Sequence, residues 1–269
     1  MFEAAQCAFI PDLPDRLSLE ANLRLDCYQR WHEQESYSID FGYWMVNEKL
    51  KLNSSLAHAF RIPSFTELYY SDAANKGNSE LKIERSDNFR LGLYLKAKAI
   101  DFSLDGFLRR GNNLIDWTRS STQEAWQATN LGKTDFKGLE FRVGLTAPLN
   151  YKLAKLKKIS FSYNYTEADK KQGANFSKYA LDILRHQYLL DIGLNIFGLD
   201  FSWNLSYNQR QYGEVYFLGN LYIGKKIGGR NFVVEPFVKV DNFTNTKYTE
   251  VAGVLMPGRW IKSGIKFEW

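Results

Sequence analysis

The chain has 269 residues, with 35 basic against 30 acidic side chains, a net charge of +5 and an aromatic share of 16%. Mean hydropathy is −0.39, and no stretch approaches the ~20 apolar residues of a membrane-spanning helix; that excludes nothing for strands, because a strand in a bilayer turns only every second residue to lipid. Charges of both signs are interspersed, and the densest cluster (Lys152, Lys155, Lys157 and Lys158) reads as a solvated turn rather than the one-sided basic face of a nucleic-acid binder.

From the N-terminus, residues 1–10 lack a basic region and a long enough apolar run for a secretory signal. They read as a strand entered midway, so a processed chain or a fragment is expected. Cys7 and Cys27 form no CxxC motif; a hairpin around Pro11 to Asp15 would set Cys7 opposite a residue near 19, which leaves no disulfide expected. Leu17, Leu19, Ala21, Leu23 and Leu25 alternate with Ser18, Glu20, Asn22, Arg24 and Asp26. Weaker strands are read over 2–10, 36–46, 50–61, 214–226 and 231–241. Phe89 to Leu95, Ile100 to Leu104, Leu139 to Leu145, Ile159 to Tyr165, Tyr188 to Ile196 and Leu199 to Tyr207 repeat the period of two, with polar residues between. In the closing strand Ile261, Ser263, Ile265, Phe267 and Trp269 oppose Trp260, Lys262, Gly264, Lys266 and Glu268. About thirteen strands result, and no helical period competes.

The alternation runs for roughly nine to thirteen residues per strand, the length that crosses a tilted bilayer, whereas soluble strands average ~5–6. Tyr69, Tyr70, Trp117, Trp126, Tyr207, Tyr212, Trp260 and Trp269 gather near segment ends, as in an interfacial girdle. Short turns at Val46 to Glu48, Ala97 to Ala99, Phe197 to Leu199 and Ile227 to Arg230 alternate with longer polar connections at 71–82, 120–129, 169–184 and 245–258. The expected fold is all-β, an antiparallel transmembrane β-barrel.

Five blocks then suggest a family. Ala59-Phe-Arg-Ile-Pro-Ser-Phe-Thr-Glu-Leu-Tyr-Tyr70 resembles the F-R-x-P-S-F-x-E-L-Y block of TonB-dependent outer-membrane receptors. Asn78-Ser-Glu-Leu-Lys-Ile-Glu-Arg-Ser86 is similar to that family's N-P-x-L-K-P-E-x-S segment, with Ser79 and Ile83 in place of its two prolines. Asn130-Leu-Gly-Lys with Lys137-Gly-Leu-Glu140, Asn242 to Tyr248, and Gly253 with Pro257-Gly-Arg259 resemble its later blocks, and the chain ends on Trp269 where Phe is commoner. The resemblance spans 59–269 and implies structural roles for Arg61, Pro63, Phe65, Glu67, Glu84, Gly138, Glu140, Asn242, Tyr248, Pro257, Gly258, Arg259 and Trp269. Pro63 is expected to break the ladder and Phe65 to pack at the strand's outer end.

Family members have about 22 strands and a lumen plug. Residues 1–269 are therefore expected to be the C-terminal part of one barrel domain, about 13 of those strands without the plug, lying in the bacterial outer membrane. The resemblance implies outer-membrane lipid and lipopolysaccharide as surroundings, the barrel-assembly machinery as reader of the closing strand, and coupling to the TonB energy-transducing complex only through a plug not present here. The implied ligand is a large metal chelate or corrinoid, an iron-siderophore or cobalamin; the alternative is a stand-alone passive porin-like barrel. The expected incomplete barrel would not transport alone.

No catalytic constellation, cofactor motif or metal site is read: His32, His58 and His186 are far apart, and no GxSxG, HExxH or Walker loop occurs. His58 shares a face with Leu52 and Leu56, which favours an interfacial role. Ligand contacts are expected from the long loops, where binding residues concentrate, with Tyr69, Tyr70, Asn75, Asn78, Trp126, Tyr179 and Tyr212 as candidates.

Overall fold

The structure is a computed structural model and describes residues 3–11, 13–46, 48–146, 149–150, 154–170, 176–178, 183–211, 213–228, 232–251 and 254–269. The elements in chain order are β1 (Glu3–Phe9), β2 (Leu17–Tyr28), β3 (His32–Val46), β4 (Leu50–Arg61), α1 (Phe65–Tyr69), β5 (Asn75–Lys76), β6 (Glu84–Ala97), β7 (Ile100–Arg119), β8 (Trp126–Leu145) and β9 (Leu149–Asn150). They continue as β10 (Ala154–Lys170), β11 (Phe176–Ser177), β12 (Leu184–Ile196), β13 (Leu199–Arg210), β14 (Val215–Gly224), β15 (Ile227–Gly228), β16 (Val233–Asp241), β17 (Thr249–Val251), β18 (Val254–Leu255) and β19 (Trp260–Glu268). Thirteen of these strands have seven or more residues, and the other six have two or three.

The chain divides into two compact units. Unit 1 comprises Met1–Tyr94, Leu104–Leu139 and Thr166–Ile183; unit 2 comprises Leu95–Ser103, Glu140–Tyr165 and Leu184–Trp269.

In unit 1, β1, β2, β3 and β4 pair antiparallel in sequence order. Their register continues the alternation across strands: Ala21 faces Ile39 and Ile39 faces Leu56, while Glu20 faces Asp40 and Asp40 faces Ser55. The apolar row is the exposed one, with Leu23, Leu25, Ile39, Phe41 and Leu56 all open to the surroundings. The side chains this chain buries include Asp26, Glu84 and Asp116. Soluble proteins distribute these residue types the other way; a sheet with lipid on its apolar face has this distribution. Cys7 sits opposite Leu23, not near 19, because Phe9 is the last paired residue of β1 and already faces Ala21. Cys27 faces Glu3 and Glu33, and both thiols are free and exposed.

Among the described residues of unit 1, buried apolar side chains form two clusters, with Ile83 buried outside both. Leu68, Leu81, Ile115 and Ala128 pack with Trp31 and Trp117; Leu114, Leu131 and Ala168 pack with Phe136 and Ile183. Both lie at the ends of β7 and β8 that carry the long connections.

In unit 2, β10, β12, β13 and β14 pair in order, and β14, β16 and β19 follow. Ile192 faces Trp203, which faces Leu221, and Leu221, Val240 and Ile261 continue that row. The opposite row brings Asp191, Asn204 and Asn220 together. The two-residue turn after β12 has positive φ at Phe197 (53°) and Gly198 (79°), which matches the twist of a tight hairpin.

Two further expectations need correction. Residues 65–69 form a short helix inside a region read as non-helical. Its cause is a capping box: Ser64 accepts from the Glu67 amide while the Glu67 carboxylate accepts from the Ser64 amide. The strands also run longer than the alternation that marks them in the sequence, with 20 residues each in β7 and β8 and 17 in β10. At ~3.3 Å per residue, twenty residues far exceed the ~25 Å apolar band of an outer-membrane wall. The excess stands beyond the band, where neither face must be apolar and the period of two fades.

Candidate functional site

The loop-bearing end of unit 1 is built from the end of β4 onward. Arg61, the last residue of β4, reaches two carboxylates: Nη1 donates to Glu67 at 2.9 and 3.1 Å, and Nη2 and Nε donate to Glu84 Oε2 at 2.9 and 3.1 Å. Glu84 is largely buried; it also accepts from the Ile115 amide at 3.2 Å and pairs with Arg109 at 3.5 Å. Burial alone would raise the Glu67 carboxyl, but hydrogen bonds from Arg61 and Ser64 outweigh it and hold it below its ordinary value. This clamp ties α1 to β4, β6 and β7. Pro63 is buried beside it. Phe65, expected to pack at the strand's outer end, stands 79% exposed with its ring 5.0 Å from Tyr69.

The segment after α1 is folded around Asp72. Its carboxylate accepts from the Tyr70 hydroxyl at 2.8 Å, from the amides of Ala74 (2.8 Å) and Asn75 (2.5 Å), and from the Asn75 side chain at 3.1 Å. The Tyr70 hydroxyl bond is the largest cause of a lowered Asp72 pKa, with the Ala74 amide next. Gly77 donates to the Tyr70 carbonyl at 2.6 Å, and a Cβ there would lie 2.9 Å from that oxygen.

β5 lies parallel to the start of β8, with Asn75 opposite Trp126 and the Trp126 amide on the Ala74 carbonyl at 2.8 Å. Arg119 lies over the Trp126 ring at 4.3 Å and Lys178 at 5.7 Å; Arg119 also approaches Phe176, its partner in the β7–β11 pair. Lys178 Nζ donates to the Asn75 side chain at 3.3 Å. Beneath, Asp116 accepts from the Ser177 hydroxyl. Asn130 bonds both the amide and the carbonyl of Lys82, at 2.8 and 3.0 Å, and the Asn113 carbonyl at 2.8 Å.

Tyr70, Asn75 and Trp126 therefore belong to one cluster. Tyr69 is half-exposed and accepts at its hydroxyl from Arg30 at 2.8 Å; Arg30 also donates to the Ser79 carbonyl, so it fastens this segment to the β2–β3 turn. Asn78 serves the backbone: its side chain accepts from the Glu80 amide at 2.9 Å and its amide donates to the Glu67 carbonyl at 2.9 Å. Tyr179 and Tyr212 lie outside the described residues. Arg30, Arg119 and Lys178 escaped the sequence reading, because only tertiary pairing brings Arg30 to Tyr69 and the other two to Trp126.

In unit 2, Asn242 adopts φ 49° and is buried; its side chain accepts from Thr244 (3.0 Å) and the Thr246 amide (3.0 Å) and donates to the Thr246 and Pro257 carbonyls. Asn245 accepts from the Arg259 amide at 2.9 Å, and a Cβ on Gly258 would approach its Oδ1 at 2.9 Å. Tyr248 stacks on Tyr216 at 4.9 Å. Gly138 and Glu140 lie on β8, and Trp269 follows β19, fully exposed. In unit 1 His58 meets Asp87 at 2.7 Å and stacks on Tyr37 at 5.4 Å; among the described residues no three His, Cys, Asp or Glu side chains could share a metal ion.

Comparison with known proteins fits this geometry. Residues 12–247 match a family model described as TonB dependent receptor-like, beta-barrel. The vitamin B12 transporter BtuB of Photobacterium profundum is 24% identical over 184 residues, covering 64% of this chain and 28% of that protein. Its namesake from Vibrio cholerae is 33% identical over 123 residues, covering 46% and 19%. Among solved structures, the siderophore receptor PirA from Pseudomonas aeruginosa aligns with a TM-score of 0.69 at 19% identity, over 100% of this chain and 46% of that one. The copper transporter OprC aligns with a TM-score of 0.76 at 15% identity, over 98% and 47%. The chain thus spans under half the length of these structures and about a quarter or less of these curated relatives. The described residues form an antiparallel portion of such a barrel and include no plug, and the relatives are receptors and transporters rather than enzymes. The chain belongs to the family of TonB-dependent receptor β-barrels.

Proposed function

We infer that these 269 residues supply wall strands and ligand-binding loops to a receptor of the bacterial outer membrane that takes up a large, scarce nutrient, a corrinoid or an iron chelate. The observation that carries this reading is the loop cluster of unit 1. An indole flanked by two cations, with a phenol, an amide and a carboxylate nearby, suits a large semi-rigid ligand carrying both flat and polar surfaces. The names of the relatives favour a corrinoid among sequence matches and a siderophore among structures. Coverage of under half of the matched structures supports the view that further strands and a plug, with its coupling to TonB, come from sequence outside these residues, and that the chain does not transport alone. A passive porin is not favoured, since the family model is that of a receptor.

The test is equilibrium binding of cyanocobalamin and of ferric enterobactin to outer membranes holding the protein. One of the two is expected to bind, and Trp126→Ala to weaken it about tenfold, in line with ~1–3 kcal/mol for an aromatic or cation–π contact. Ion conductance with no ligand binding would overturn the reading.

A further inference from the structure

Helix α1 rests on the polar face of the unit 1 sheet. Arg61, which anchors it, lies on the β4 row of Ser55, the row that faces Asp40. Leu68 turns toward the sheet and is buried with Leu81, Ile115 and Ala128. Phe65 and Tyr69, four residues apart and so on one side of the turn, point the other way. Phe65 is 79% exposed and Tyr69 51%. Their ring centres lie 5.0 Å apart and their planes are tilted by 57°, an open corner rather than a closed stack.

This corner is held rigid from three sides. The capping box fixes Ser64 to Glu67, Arg61 ties Glu67 to Glu84, and Arg30 donates to the Tyr69 hydroxyl at 2.8 Å. A surface fixed in advance loses little freedom when something binds it. Arg30 also donates to the Ser79 carbonyl and lies 4.7 Å over the Trp31 ring, but makes no ion pair among the described residues. Of the carboxylates on the same segment, Glu67 is taken by Arg61 and Ser64, Asp72 by Tyr70 and the turn amides, and Glu80 accepts from the Ser79 hydroxyl at 3.0 Å. Two open ring faces beside a cation with no carboxylate partner match a planar aromatic group next to an anionic oxygen. Tyr70 and Asn75, next along the chain, belong to the Trp126 cluster, so the corner continues that site.

We propose that the Phe65–Tyr69 corner, with Arg30, takes an aromatic ring of the ligand that carries or adjoins an anionic oxygen. The inference rests on the reading of the chain as part of a receptor for an iron chelate or a corrinoid, and it names the ligand group. In the one that group is a catecholate ring; in the other it is the benzimidazole beside its phosphate. Phe65 is thereby a specificity-determining contact rather than the packing residue that the family resemblance implied.

The experiment is equilibrium binding to outer membranes holding the whole protein, with two matched pairs of probes. Ferric enterobactin is set against a ferric trihydroxamate, which has no aromatic ring, and cyanocobalamin against a corrinoid lacking the benzimidazole nucleotide. The pair whose ringed member binds wild type identifies the source of the ring. For that probe, Phe65→Ala is expected to weaken binding about tenfold and Phe65→Tyr to stay within about threefold of wild type. Arg30→Gln is expected to weaken it and to flatten its dependence on salt. The ringless member should bind wild type and Phe65→Ala alike. An unchanged affinity of Phe65→Ala for the ringed probe overturns the proposal. So does an equal loss for both members of the pair, which would mean that the corner supports another part of the receptor. Where the ringless member does not bind wild type, Phe65→Tyr decides: a tenfold loss there too overturns the proposal. Wild type binding neither ringed probe would sink the receptor reading itself, and the proposal with it.

Discussion

Replacing Arg61 by Ala removes four donor contacts at once, two to Glu67 and two to Glu84. Hydrogen bonds to charged groups are worth about 1.5–3 kcal/mol when well shielded, and exposed ion pairs about 0–1. The Arg61 side chain is 44% exposed while Glu84 is 9% exposed, so the pair lies between those limits. Glu84 keeps the Ile115 amide and Arg109, and Glu67 keeps its bonds to Ser64, so neither carboxylate is orphaned. The net loss is about 2 kcal/mol, felt by the segment 62–83 rather than by the sheet. That raises the open population of the segment about 30-fold. Hydrogen exchange of amides 65–82, under conditions where exchange follows the opening equilibrium, reads this directly. Exchange changed less than about twofold would refute the clamp, and an equal rise in β13 would show that the whole sheet, not the loop, depends on Arg61.

Other outcomes follow from the same contacts. Ser64→Ala removes the cap of α1 and should cost about 1 kcal/mol, seen as faster exchange confined to 65–70. Glu67 has a folded pKa below its ordinary value, so its contribution is present above that value and is lost as pH falls through the folded pKa. Opening of 62–83 should therefore increase as pH drops below about 4.3, and Glu67→Gln should weaken that dependence, leaving the share contributed by Asp72, whose carboxyl is also held below its ordinary value. Ile39→Arg places a charge in the exposed apolar row of β3 and should cost about 2–4 kcal/mol if that row meets mid-bilayer lipid, measured as lost recovery in the outer membrane. Asn242→Ala strips the positive-φ residue that holds Thr244, Thr246 and Pro257, and protease should then cut within 242–259 at least several-fold faster.

The strands were legible where one physical demand acts on each face. Leu17 to Asp26 and Leu199 to Asn208 alternate because one side must be apolar, and a one-residue slip would reverse it. The outer halves of β7 and β8 carry no such signal, since Arg110, Asn112 and Lys133 on one face and Arg109 on the other are equally tolerable beyond the apolar belt. The helix was readable from Ser64-Phe-Thr-Glu67, but a single turn has no periodicity to support the cap signal. Aromatic and amide content in the loops pointed to Tyr70, Asn75 and Trp126, yet one cation over Trp126, Lys178, follows β11 more than fifty residues along the chain, and the β7–β11 pairing that brings it there is encoded in no local pattern.

The most direct test of the central claim, that this sheet is the lipid-facing wall of an outer-membrane receptor, is a scan of single nitroxide labels along residues 17–28 in reconstituted outer membranes. Oxygen and a water-soluble nickel chelate are the collision partners. Oxygen access should peak at 19, 21, 23 and 25 and the chelate should favour 20, 22, 24 and 26, a period of two matching the register of β2 with β3. Chelate access without that alternation, or oxygen access at even positions, would contradict the account.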